Sequence, residues 1–214
     1  MFSLAGALSL GFILGMRHAT DPDHVVAVTT IVSQSQSMRR AGLIGALWGL
    51  GHSVTILLLG GAIVLFRVVI PPRVGLAMEF AVAVMLVVLG VMAMRGRGSL
   101  QGAAVSTARP VVVGFVHGLA GSAFVAMLVL AAIPTPLAGM LYLALFCAGT
   151  IAGMTVITAA MAVPAAYGAA RVAGARRTIH LAAGVASIAF GLFLAHDAGV
   201  THGLFGDAPQ WTPR

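Results

Sequence analysis

Met16-Arg17-His18-Ala19-Thr20-Asp21-Pro22-Asp23-His24 sets two histidines, two aspartates, an arginine and a proline between two apolar runs, residues 2–16 and 25–32. Only five acidic residues occur in the 214-residue chain, and two of them stand here. An ionisable group within a membrane segment costs roughly 2.5–3.5 kcal/mol on insertion scales and by default marks a functional site. The fold therefore turns on whether the flanking runs lie in lipid.

Composition answers that. The chain is 60% hydrophobic and 8% charged, with a mean hydropathy of +1.05. A soluble domain carries about 25% charged residues. So few charges cannot cover a surface in water, and an all-α, polytopic membrane protein is expected, forming one transporter domain over residues 1–214. The net charge of +7 comes from arginine alone, since the chain has no lysine. These arginines lie between apolar runs, so membrane topology explains them and nucleic acid binding is not expected. A single cysteine, Cys147, excludes an intramolecular disulfide and a two-thiol relay. The N-terminus lacks a basic n-region and an Ala-x-Ala-like cleavage site, so no removable signal peptide is expected.

A spanning helix needs about 20 residues. Six candidates emerge: residues 4–33, 41–66, 74–94, 111–133, 137–167 and 179–195. Residues 95–110 are rich in Arg, Gly and Ser and read as a loop, while Pro134-Thr135-Pro136 ends the fourth span. The loops after the first, third and fifth spans hold eight arginines, against Arg67, Arg73 and Arg214 on the other side. The arginine-rich side is expected to be cytoplasmic, which puts both termini outside. Gly11-Phe12-Ile13-Leu14-Gly15 with His18 is echoed by Gly114-Phe115-Val116-His117-Gly118. Residues 48–55 line up loosely with 150–155. An inverted 3+3 repeat follows, with halves 1–94 and 110–198, and transporters of that kind bind at the repeat interface.

Within the opening stretch, a continuous helix would put His18, Asp21 and His24 on one side and turn Asp23 away. Pro22 cannot continue a helix undisturbed, whereas Thr20 or Asp21 followed by proline suits an N-cap with Pro at the first helical position. The first span is therefore expected to break here. The break would free carbonyls around residues 17–20 and let both aspartates face one cation. Imidazole with carboxylate suits Ni²⁺, Co²⁺ or Zn²⁺, whereas an oxygen-only site would suit Mg²⁺ or Ca²⁺. His52, midway along the second span, reads as a third imidazole or as a helix–helix hydrogen bond between glycines. His117 reads equally as a packed histidine or as part of the metal path. Glu79, near Arg73, is expected to form a surface ion pair. The tail with His196, Asp197, His202 and Asp207 is expected to be solvated.

His18-x4-Asp23-His24, preceded by Arg17, resembles the HX4DH signature of the nickel/cobalt transporter family, which there reads Arg-His-Ala-x-Asp-Ala-Asp-His. Ala19 and Asp21 fit, and Pro22 replaces the usual alanine. Leu50-Gly51-His52-Ser53-Val54 resembles the family's second signature. Members usually have eight spans with the signature in the second. No counterpart of the first is expected in this chain, and its second half lacks the acids of the later signatures. In this it is similar to shorter six-span members, the urease-accessory type of nickel permease among them.

The resemblance implies that His18, Asp21, Asp23, His24 and His52 line the metal site. His117 completes the candidate set. It also implies a transported substrate, Ni²⁺ or Co²⁺, with no resident cofactor, imported across the cytoplasmic membrane without ATP and handed to a cytoplasmic metallochaperone. The chain contains no P-loop. Inward movement of a divalent ion would gain about 4.6 kcal/mol per 100 mV of potential. Two other functions compete. An exporter of the same architecture is disfavoured because residues 95–110 contain no histidine. A metal-dependent membrane hydrolase would need a separate general base, and none is identifiable.

Overall fold

The computed structural model describes residues 4–33, 37–95, 108–119, 133, 135–163 and 174–211. These form helices α1 (Leu4–His18), α2 (Pro22–Val32), α3 (Met38–Phe66), α4 (Pro72–Met94), α5 (Ala108–His117), α6 (Pro136–Val163) and α7 (Ala175–His196), followed by a π-turn at Asp197–Thr201. Among the described residues α3, α4, α6 and Arg177–Thr201 are long and apolar enough to cross a membrane. The chain is a multi-pass membrane protein. The span expected at 111–133 and the end of that expected at 137–167 lie largely outside the described residues.

Local chemistry sets the helix ends. The first span breaks at the proline: Asp21 is extended (φ −61, ψ 144) and caps α2, whose first residue is Pro22. A residue before proline is pushed out of the α region, and proline at the first position forfeits no helical hydrogen bond. Ser37 caps α3 by accepting from the Arg40 backbone N–H. Arg67 ends α3 with φ 52, the one positive φ of a non-glycine residue among those described. Two of the carbonyls expected to be freed at the break, those of Arg17 and His18, are taken up. Arg17 O accepts from the backbone N–H of Thr20 at 2.8 Å and from its hydroxyl at 2.6 Å, and His18 O accepts from Asp21 N–H. The tight turn consumes these two.

The buried helix faces are rich in small residues, with a few large side chains such as Trp48, Tyr142 and Phe146 beside them. α3 buries Gly42, Gly45, Gly49, His52, Ser53, Ile56 and Gly60, and exposes Leu43, Leu50, Val54, Leu58 and Leu65. Lipid is as apolar as leucine, so helices in membranes associate where small residues let backbones approach. α1 packs on α6, α3 on both α6 and α5, and α4 on α7. A Cβ at Gly15 would meet the Phe146 carbonyl, one at Gly149 the Phe12 carbonyl, and Gly11 lies beside Tyr142, so α1 and α6 run parallel. α3 and α5 also run parallel, with Gly114 on the Trp48 carbonyl and Gly118 on that of His52, and Gly51 meets the Val111 carbonyl. α4 and α7 are antiparallel, with Gly90 beside the Gly184 carbonyl and Gly191 beside that of Ala83. α2 lies between these groups and touches α4, α6 and α7.

The C-terminal tail differs from expectation. Trp211 stacks on Gly75 and donates its indole N–H to Glu79 at 2.9 Å. Arg73 donates to the Gly206 carbonyl at 2.7 Å, and Phe205 meets Phe80 edge-on. Trp211 thus takes up Glu79, and Arg73 turns to the tail. The segment is docked on α4 because its aromatic groups find an apolar face with a single acceptor.

Candidate metal centre

Four helices bring the candidate histidines together. His18 is the last residue of α1, His24 lies in the first turn of α2, His52 halfway along α3, and His117 ends α5. All four are buried, the most exposed being His18 at 5%. The His24 ring lies 4.6 Å from that of His18, 4.9 Å from His52 and 4.4 Å from His117, centroid to centroid. His24 is therefore the centre of the cluster. Phe146 faces His18, and Trp48 lies against both His24 and His117, closing two sides with aromatic carbon.

The break that Pro22 imposes lets the two aspartates reach different partners. Asp21, freed from the helical face, pairs with His18 Nδ1 at 2.9 Å. Asp23 uses both oxygens. Oδ1 accepts from His24 Nδ1 at 2.9 Å and from the His24 backbone N–H, while Oδ2 accepts from His117 Nε2 at 3.0 Å. Asp23 thereby ties α2 to α5.

These pairings assign the protons. An ionised carboxylate can only accept, so each imidazole presents an N–H to it and keeps its lone pair on the other nitrogen. The lone pairs fall on His18 Nε2, His24 Nε2 and His117 Nδ1. His24 Nε2, His117 Nδ1 and His52 Nδ1 are buried with no hydrogen-bond partner. His18 Nε2 faces His52 Nε2 at 2.9 Å. Ligand atoms of His18, His24 and His52, and likewise of Asp23, His24 and His117, lie within 4.8 Å of one another. Carboxylates behind imidazoles, with unpaired imidazole nitrogens in front, make the arrangement by which proteins orient ligands around borderline transition metals.

Access is one-sided. The Asp21 side chain is 32% exposed and that of Asp23 13%, whereas the imidazoles are closed off. All six candidate residues are thus neighbours. The sequence did not single out Trp48 and Phe146 as walls of the site.

Residues 4–96 match the model of the NicO family, described as high-affinity nickel-transport protein. The chain is also 34% identical over 219 residues to the urease accessory protein UreH of Bacillus sp. (strain TB-90), covering 94% of this chain and 96% of that one. No solved structure matches the chain.

Proposed function

We propose, from the premise that this chain belongs to the NicO family of high-affinity nickel-transport proteins, that it carries Ni²⁺ or Co²⁺ inward across the cytoplasmic membrane through the histidine cluster at the α1–α2 break. It is a transporter and not an enzyme. The observation that carries the site is the set of buried imidazole nitrogens without partners, on histidines that separate helices bring together. A buried polar atom without a partner costs about 1–3 kcal/mol. Several in one place are supported best by a cation that they bind in turn.

In this mechanism His18, His24, His52 and His117 offer nitrogens to the ion, while Asp21 and Asp23 hold the rings and balance its charge. The ion arrives past Asp21, the most exposed member of the set, and sheds water as imidazoles replace it. A cytoplasmic metallochaperone would receive it.

The proposed architecture is one domain of six spans in two inverted halves, with both termini outside. Helix pairing supports the inversion. Exchanging α1 with α5 and α6 with α3 carries the Gly15–Phe146 contact onto Gly114–Trp48, and Gly149–Phe12 onto Gly51–Val111. The same exchange carries His18 onto His117. This register lies one helical turn from the one that matching the Gly-Phe-x-x-Gly runs suggests.

Reconstitution in liposomes tests the function. With an inside-negative potential, Ni²⁺ or Co²⁺ should accumulate and Mg²⁺ should not. No potential-dependent uptake of either transition metal would sink the proposal.

A further inference from the structure

His180 is a buried histidine that the steps above do not use. It lies in the first turns of α7, is 8% exposed, and has both ring nitrogens engaged. Nε2 lies 2.7 Å from the Ala93 carbonyl of α4, and Nδ1 lies 2.7 Å from Ser33 Oγ at the end of α2. The carbonyl accepts, so Nε2 carries a proton, while Nδ1 pairs with the serine hydroxyl, whose one hydrogen is shared between that nitrogen and the Thr30 carbonyl at 3.0 Å. One ring therefore joins three helices. Thr30 adds a second tie, donating its hydroxyl to the Ala183 carbonyl at 3.2 Å.

α2 is consequently held at both ends, by different bodies. Its first turn carries Asp23 and His24 into the cluster with α1, α3 and α5. Its last turn is fastened to the α4–α7 pair, whose backbones interlock through Gly90, Gly184 and Gly191. With 11 residues at about 1.5 Å each, α2 is a short rod about 16 Å long. The turn at Ala19–Asp21 gives that rod a pivot. A buried histidine among apolar helices is costly where simple packing is needed, since a leucine would fill the space.

Building on the cation-site reading, we propose that His180 is a positioning residue for transport: with Ser33 it locks the far end of α2 to the α4–α7 pair, so that a shift of that pair is passed along α2 to Asp23 and His24 and opens the cluster. Asp23 would leave His117 and His24 would leave His52 in one movement, and the ion would lose its central ligand. The hydrogen bonds described for His180 run to Ala93 and Ser33 rather than to a candidate ligand, so its loss should slow turnover and leave equilibrium binding in place.

The experiment compares His180→Ala, Ser33→Ala and His180→Gln with the wild type, measuring Ni²⁺ affinity in detergent and Ni²⁺ uptake in proteoliposomes. The two alanine variants should bind Ni²⁺ within about 2-fold of wild type while maximal uptake falls about 10-fold. His180→Gln should recover most of that loss, because its amide can donate to Ala93 O and accept from Ser33. If His180→Ala does not fold, Ser33→Ala, which keeps the shape of the site, carries the comparison. Wild-type uptake in the alanine variants overturns the proposal. So does affinity falling in step with uptake and no recovery by glutamine, which is the mark of a structural role. A wild-type protein that neither binds nor takes up Ni²⁺ overturns the cluster's role, and this one with it; the other two outcomes overturn the role of His180 alone.

Discussion

Gly15 of α1 lies against the carbonyl of Phe146, and Gly114 of α5 lies against that of Trp48. Three residues beyond each glycine stands a buried histidine, His18 and His117, next to the same aromatic. After His18 the chain reads Ala-Thr-Asp-Pro-Asp-His; after His117 it reads Gly-Leu-Ala-Gly-Ser-Ala. The two contacts share their scaffold and differ in charge. The scaffold needs only small residues at the crossing, which either half supplies. Charge is needed once. In the proposed site two carboxylates would balance one divalent ion, and a second pair would leave uncompensated charge in a low-dielectric interior. Asp23 bridges the difference, because it serves His24 beside it and His117 across the interface with one carboxylate.

The comparison can be broken most forcefully at the glycines. Gly15→Val and Gly114→Val each drive a Cβ into a backbone carbonyl. Each should cost about 3 kcal/mol or more, the upper range for overpacking. Thermal melts in detergent and yields of monodisperse protein would show it. If one is tolerated and the other is not, the two crossings are not equivalents.

His24→Ala removes the ring shared by both groups of ligand atoms. Ni²⁺ affinity should fall by more than about 100-fold, or about 2.7 kcal/mol, with helical content unchanged by circular dichroism. Equilibrium dialysis would measure it, and wild-type affinity would place the site elsewhere. Asp23→Asn should weaken binding by about 10–100-fold, as loss of a group that orients metal-binding histidines does. Asp21→Asn should lie at the low end of that range, since Asp21 orients one ring and is a third exposed. An equal or larger loss for Asp21→Asn would mean that the bridge to His117 carries little.

The smallest effect is expected far from either crossing. Trp211→Phe keeps the ring on Gly75 but deletes the hydrogen bond to Glu79. It should cost about 0.5–1.5 kcal/mol in stability and leave Ni²⁺ uptake unchanged. A fall in uptake would connect the tail to transport through α4.

By itself the sequence determined the membrane class, the position of the helix break and the identity of the opening motif. Each rests on information local to one segment: apolar length, a proline at a helix start, and titratable groups too costly to be idle in lipid. Pro22 settles the break because ring closure acts on its immediate neighbours. Tertiary structure alone brought His52 and His117 beside His24. They reach His24 from 28 and 93 positions away along the chain, and helical periodicity says nothing about how two helices register. That register is set where a glycine meets a carbonyl, and in helices so rich in Gly and Ala many registers look alike on paper. The same reason hid the junction at His180, the docking of the tail on α4, and the division of labour between the two aspartates. Each depends on which backbone comes close enough to accept a hydrogen bond.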